Sequence, residues 1–212
     1  MGAVGRVRAD RFAPVAFVLA GLLILTAALF PTADDPADYG GFLAVLVDNI
    51  GRTRVVLLTV PLGIWLFAVA VASLGPSETR QASVWLRVGL LGVVVGAAAV
   101  TVQFALGAAA VDVHLGDAAG GSELWAAATY VRSFGMLILW AGLAAVGAAV
   151  LTEGLAARWL GIVAIVLGVG MVAVSVVAIV GGPSPVTALA TGGLAALTAV
   201  WAMGLGLSLY RR

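Results

Sequence analysis

The chain has no cysteine among its 212 residues. That excludes disulfides, thiolate metal sites, iron–sulfur clusters and cysteine nucleophiles. Lysine is missing too, because all 11 basic residues are arginine. Without lysine there is no Schiff base, so retinal proteins and pyridoxal enzymes are excluded. Histidine occurs once, at His114, which rules out a bis-histidine haem within the chain and a multi-histidine zinc site. Charge is scarce at 10% of residues, where a soluble domain carries about a quarter. No cofactor is expected. A formal net charge of +1 with no pooled basic patch gives no nucleic-acid partner.

What fills the chain is apolar: 63% of residues are hydrophobic and mean hydropathy is +1.16. The class this predicts is an all-α integral membrane protein, its main partner the lipid bilayer. A bilayer core about 30 Å thick needs roughly 20 apolar residues of helix. Six stretches meet that length: Phe12–Phe30, Val55–Leu74, Val88–Val111, Trp125–Leu151, Trp159–Val180 and Val186–Tyr210. They are expected to form a single transmembrane domain over residues 1–212. The first run is longer than a signal-peptide core and no small-x-small cleavage site follows it, so it reads as a retained signal anchor.

Orientation follows from arginine. Arg6, Arg8, Arg11, Arg80, Arg87, Arg158, Arg211 and Arg212 fall on one side of the spans, and Arg52 and Arg54 on the other. The positive-inside bias makes the first side cytoplasmic, with both termini inside. Asp34, Asp35, Asp38, Asp48, Asp112, Asp117 and Glu123 collect on the outer side. Trp85, Trp125 and Trp159 fall at proposed boundaries, where aromatic belts sit. Trp65, Trp140 and Trp201 are expected deeper, packed in the bundle. Abundant Ala, Gly and Val without lysine is the composition of GC-rich coding, an association that points to a prokaryotic plasma membrane.

Two hairpins of spans are alike. "RTRVVLLTVPLGIWLFAVAVASL" leads to "WLRVGLLGVVVGAAAV", and "VRSFGMLILWAGLAAVGAAVL" leads through "TEGLAA" to "RWLGIVAIVLGVGMVAV". Repeats are common in transporters, and convergence among apolar segments produces the same likeness. Gly92 and Gly96, four apart, invite close helix approach. In-chain packing is their leading use, with homo- or hetero-oligomerisation through the Gly-rich helices as the alternative. Pro61 is expected to kink its span.

Three polar positions stand out. Arg132 lies in a long apolar run, but the 19 residues Ser133–Leu151 carry no charge and cross the core alone. That moves Arg132 to the outer boundary, where it snorkels to the surface; Ser122 would cap a helical extension above it. The functional alternative is a guanidinium that binds an anionic group or pairs with Asp112. Asp112 is read first as a static ion-pair partner and second as a proton-relay carboxylate. Gln103, near Thr101, is expected to hydrogen-bond a neighbouring helix, with substrate contact as the alternative. The loop "PTADDPADYGG" lacks the calcium-loop spacing and reads as a solvated acidic segment. "FLAVLVDNI" reads as an interfacial or re-entrant piece. His114 reads as a surface histidine. Hydrolase, zincin, P-loop and dinucleotide-binding motifs are all missing.

The segments "NIGRTRVVLL", "WLRVGLL" and "RWLGIVAIVLG" carry a resemblance. The chain resembles a domain-of-unknown-function family of six-span bacterial and archaeal membrane proteins, from about Phe12 to the C-terminus. The short loop before the fourth span and the compressed "TEGLAA" depart from it. The resemblance implies a fold and no site residue. The leading functional expectation is a non-enzymatic structural or partner-binding membrane protein. The alternative is a small transporter for a lipophilic or weakly polar solute, which requires a cavity lined by Gln103, Thr101, Ser175, Thr191 or Thr198.

Overall fold

The computed structural model describes residues 12–30, 38–74, 84–116, 119–182 and 184–211. These residues form seven α-helices and no strand. They are α1 (Phe12–Leu25, continued by a 3-10 turn to Leu29), α2 (Tyr39–Asp48), α3 (Ile50–Ala72), α4 (Val84–Leu115), α5 (Gly121–Glu153), α6 (Arg158–Gly181) and α7 (Pro185–Tyr210). All but α2 belong to stretches long and apolar enough to cross a membrane. The chain is therefore a polytopic membrane protein built as an all-α bundle of six such helices. Arg6, Arg8, Arg11, Arg80, Arg212, Asp34, Asp35 and Asp117 lie outside the described residues.

The helices begin and end where backbone groups find other partners. The Asp38 carboxylate accepts the Gly41 amide at 3.0 Å and caps α2. Asn49 breaks α2 from α3 with φ −111°, and the buried Thr53 hydroxyl donates to the Leu46 carbonyl at 2.9 Å. A hydroxyl thus supplies a donor beside the break, where an unpaired carbonyl would be costly in lipid. Helix α5 starts after Gly120 at φ 106° and stops at Gly154 at φ 64°, both left-handed. The expected Ser122 cap is not the one used, because glycine turns the chain two residues earlier. Ser184 and Thr187 form a capping box at α7, with Pro185 as its first residue.

Every span beyond the first starts earlier than hydropathy alone implies. Helix α3 begins at Ile50 rather than Val55, and α4 and α5 run over 32 and 33 residues. At 1.5 Å per residue these two are about 50 Å long, well beyond the bilayer core. Polar residues such as Arg52, Asp112 and Glu123 continue a helix perfectly well, but they end a hydropathy window.

Helices α4, α5 and α6 form the tightest part of the bundle. A Cβ on Gly96 would stand 2.6 Å from the Leu139 Cα, and one on Gly92 would stand 2.7 Å from the Gly142 Cα. Gly92 and Gly96 are therefore used inside the chain. On the other face of α5, a Cβ on Gly168 would meet the Trp140 carbonyl at 2.7 Å. Apolar side chains gain nothing by leaving apolar lipid, so backbone proximity and dispersion hold such helices together. Helices α1, α3 and α7 form the other side, with Phe17 edge-on to Phe67 at 5.6 Å and Trp201 beside Phe67 at 6.2 Å.

The repeat seen in sequence is not a repeat of packing. Helices α5 and α6 interlock closely, whereas α3 and α4 meet far more loosely. Tryptophan placement also divides. Trp140 and Trp201 are buried, whereas Trp65 is 39% exposed and its indole N–H donates to the Thr101 hydroxyl at 2.9 Å. Helix α2 lies against α4 and α5 near their loop, with Leu43 and Leu46 buried beside Ala110, Val111 and Trp125.

Candidate functional site

The polar residues of the interior are few and mostly self-satisfied. Thr191 and the buried Thr198 return their hydroxyls to carbonyls four residues back, at 2.7 and 2.9 Å, as does the exposed Thr101 at 2.8 Å. Trp201 donates its indole N–H to the Leu160 carbonyl at 2.8 Å. Among the described residues, the Gln103 Oε1 and the Trp140 Nε1 are buried and have no hydrogen-bond partner. Gln103 therefore does not make the interhelical bond expected of its oxygen. In apolar surroundings an unpaired polar atom costs about 1–3 kcal/mol.

Arg132 is exposed and points out of the bundle, in a stretch of α5 where Tyr130 and Phe134 are also exposed. Glycine contacts set the register: Gly96 meets Leu139 and Gly92 meets Gly142. Arg132 is then level with Gln103, and Asp112 is level with Glu123. At 1.5 Å per residue, Arg132 stands about 13 Å along the helix from the level of Asp112. Among the described residues no ion pair joins them. On the α6 side, Gly147 meets the Gly161 carbonyl, which puts Arg132 level with Val176 and Val177. That is about 7 Å short of the end of α6, within the reach of an extended arginine.

Asp112 sits elsewhere, in a cleft of about 270 Å³ between α3 and α4. Ile50, Arg54, Leu57, Leu58, Ala108, Val111 and Asp112 line it. Arg54 lies one turn into α3 and Asp112 one turn before the end of α4. The antiparallel pair thus brings two opposite charges to one end of one apolar cleft. Both side chains are exposed, and among the described residues neither is joined to a partner by a salt bridge or hydrogen bond. The cleft does not include Gln103, Thr101, Ser175, Thr191 or Thr198. From sequence, Arg54 enters as a marker of orientation and as the outer arginine that matches Arg132 in the two similar hairpins. The signal was its position: one turn from a helix end, facing a helix whose carboxylate is equally one turn from its own end.

Among the described residues no cluster of His, Asp or Glu is arranged to hold a metal ion. Asp38 spends its carboxylate on the α2 cap.

No family model, curated protein or solved structure matches this chain. No activity reaches it by similarity, so function rests on the geometry above.

Proposed function

We propose that the chain is a non-enzymatic structural or partner-binding subunit of a prokaryotic plasma membrane, with both termini cytoplasmic. The interior supports this reading. Helices α4, α5 and α6 approach at backbone distance through Gly92, Gly96, Gly142, Gly147 and Gly168, and the cleft stays clear of Gln103. An alternating-access carrier needs helices with two discrete packings around a central site. A seam in which glycines receive the Leu139 and Val146 side chains and opposing backbone leaves little room for a second packing. A partner helix would find a free surface near the α6–α7 turn, where Val180 is 83% and Leu189 81% exposed. Gly192 and Gly193 on the same helix have open space in front of them.

The small-transporter alternative rests on one observation, the buried and unpaired Gln103 Oε1. A polar solute or a water file would satisfy that atom. The chain's lack of cysteine makes the test direct, because a single introduced thiol is its own reporter. In intact membranes Gln103→Cys is expected to resist a membrane-impermeant maleimide, while Gly116→Cys reacts readily. Reaction at Gln103→Cys in a folded protein would establish a water path and favour transport.

Orientation has a separate test. Gly116→Cys, between α4 and α5, is expected to react from outside whole cells. Ser73→Cys, at the end of α3, should react only after the membrane is opened. Labelling of both from outside would overturn the six-span topology, and reversed labelling would overturn the arginine-based orientation.

A further inference from the structure

We infer that the cleft between α3 and α4 is a binding site for a zwitterionic phospholipid headgroup with a primary ammonium. The inference goes beyond the subunit reading and does not depend on it. Three features converge. First, the cleft carries one charge of each sign, Arg54 and Asp112, and among the described residues the two are not bonded to each other. A pair that closed on itself would leave nothing to offer a ligand. Held apart in one cleft, the two are complementary to a dipolar group.

Second, each charge suits its half of that group. A guanidinium is a planar fork that bonds phosphate oxygens through two N–H groups. A carboxylate accepts N–H bonds from an ammonium, which a quaternary trimethylammonium cannot donate. Third, the inner half of the cleft is apolar, and Ile50 also lines it on the outer side of Arg54. Arg54 and Asp112 lie one turn from the helix ends, where headgroups are found. Leu57, Leu58 and Ala108 follow one turn further along the two helices, toward the middle of the spans. Leu58 is 64% exposed and offers an apolar wall to an acyl chain. Pro61 sits a turn beyond and has no amide hydrogen to give the Leu57 carbonyl.

The same chemistry is present in a lipid and in a free phosphoethanolamine, and the experiment separates them. The full-length protein, purified in detergent, is titrated with equimolar phosphatidylethanolamine and phosphatidylglycerol and read by native mass spectrometry. The wild-type chain is expected to retain the ethanolamine lipid preferentially. Asp112→Asn removes the negative charge that pairs with the ammonium and puts an NH2 donor beside it, and should shift retention toward the glycerol lipid. Arg54→Gln should weaken retention of both, by about 5-fold. Arg132→Gln, outside the cleft, should change neither. Melting temperatures of the three variants are measured alongside. Because all three residues are exposed, loss of fold is not expected.

Soluble phosphoethanolamine is then added as competitor. If it fails to displace the lipid, the acyl wall takes part and the ligand is the lipid. Displacement that disappears in Arg54→Gln and Asp112→Asn keeps the site and makes the ligand a free zwitterion. Equal retention of the two lipids by the wild-type chain would overturn the inference. So would cleft variants that behave like Arg132→Gln.

Discussion

Replacing Gly142 by alanine is expected to destabilise the protein by about 2–3 kcal/mol, and replacing it by leucine to leave no folded protein. A Cβ at this position would stand 2.7 Å from the Val93 amide nitrogen, 2.8 Å from the Gly92 carbonyl carbon and 3.0 Å from the Gly89 carbonyl oxygen. All three are backbone atoms of α4, so no side chain can rotate aside. The helices must separate, and the separation spreads along the seam, because Gly89, Gly92 and Gly96 meet α5 in the same register. In water a loosened apolar contact would still be held by the hydrophobic effect. In lipid it is not, since acyl chains wet the exposed surfaces as well as a neighbouring helix does. Gly193→Ala is the matched control. Nothing lies within 4 Å of its Cβ position, so the change should be neutral or stabilise α7 by about 0.5–1 kcal/mol. Thermal unfolding in detergent or nanodiscs reads both. Equal melting temperatures for the Gly142→Ala and Gly193→Ala variants would mean that the α4–α5 seam is not what holds the bundle.

The second large effect belongs to Trp201. Its indole is 4% exposed, lies beside Phe67 of α3 and donates to the Leu160 carbonyl of α6. One side chain thus ties α7 to both halves of the bundle. Trp201→Ala is expected to cost about 3–5 kcal/mol, through the cavity it leaves. Trp201→Phe keeps most of the ring volume and drops the hydrogen bond, for a loss of about 1 kcal/mol. Proteolysis in detergent would show where the damage lies. The alanine variant should be cut first in α7 while the α4–α5 hairpin survives, and uniform cutting would contradict the assigned role of Trp201.

Arg132 and Asp112 show how far sequence reaches in such a chain. The uncharged run Ser133–Leu151 moved Arg132 away from the bilayer centre, and the structure turns it outward near the level where α6 ends. The short connection between α4 and α5 suggested an ion pair with Asp112, but the glycine seam fixes a register that sets the two residues apart. The partner of interest for Asp112 is instead Arg54, on a helix whose packing with α4 leaves no mark on hydropathy. Gln103 failed differently. An amide inside a span ordinarily finds a bond across a helix interface, and whether it does depends on which groups the neighbouring helices present at its level.

Sequence alone determined the class of this protein, the number of its spans and the close approach at Gly92 and Gly96, but not their partner Gly142. Those properties follow from local physics: a hydrocarbon layer of fixed thickness demands apolar helices of matching length, and only small residues permit backbone contact. The tertiary structure decided which helices pair, how far each is slid along the next, and therefore which charges share a cleft. Apolar faces of similar composition pack in many ways at nearly equal energy in lipid. Only the interdigitation of particular side chains with particular glycines selects one register, and the neighbourhoods of Arg54, Asp112, Gln103 and Arg132 follow from it.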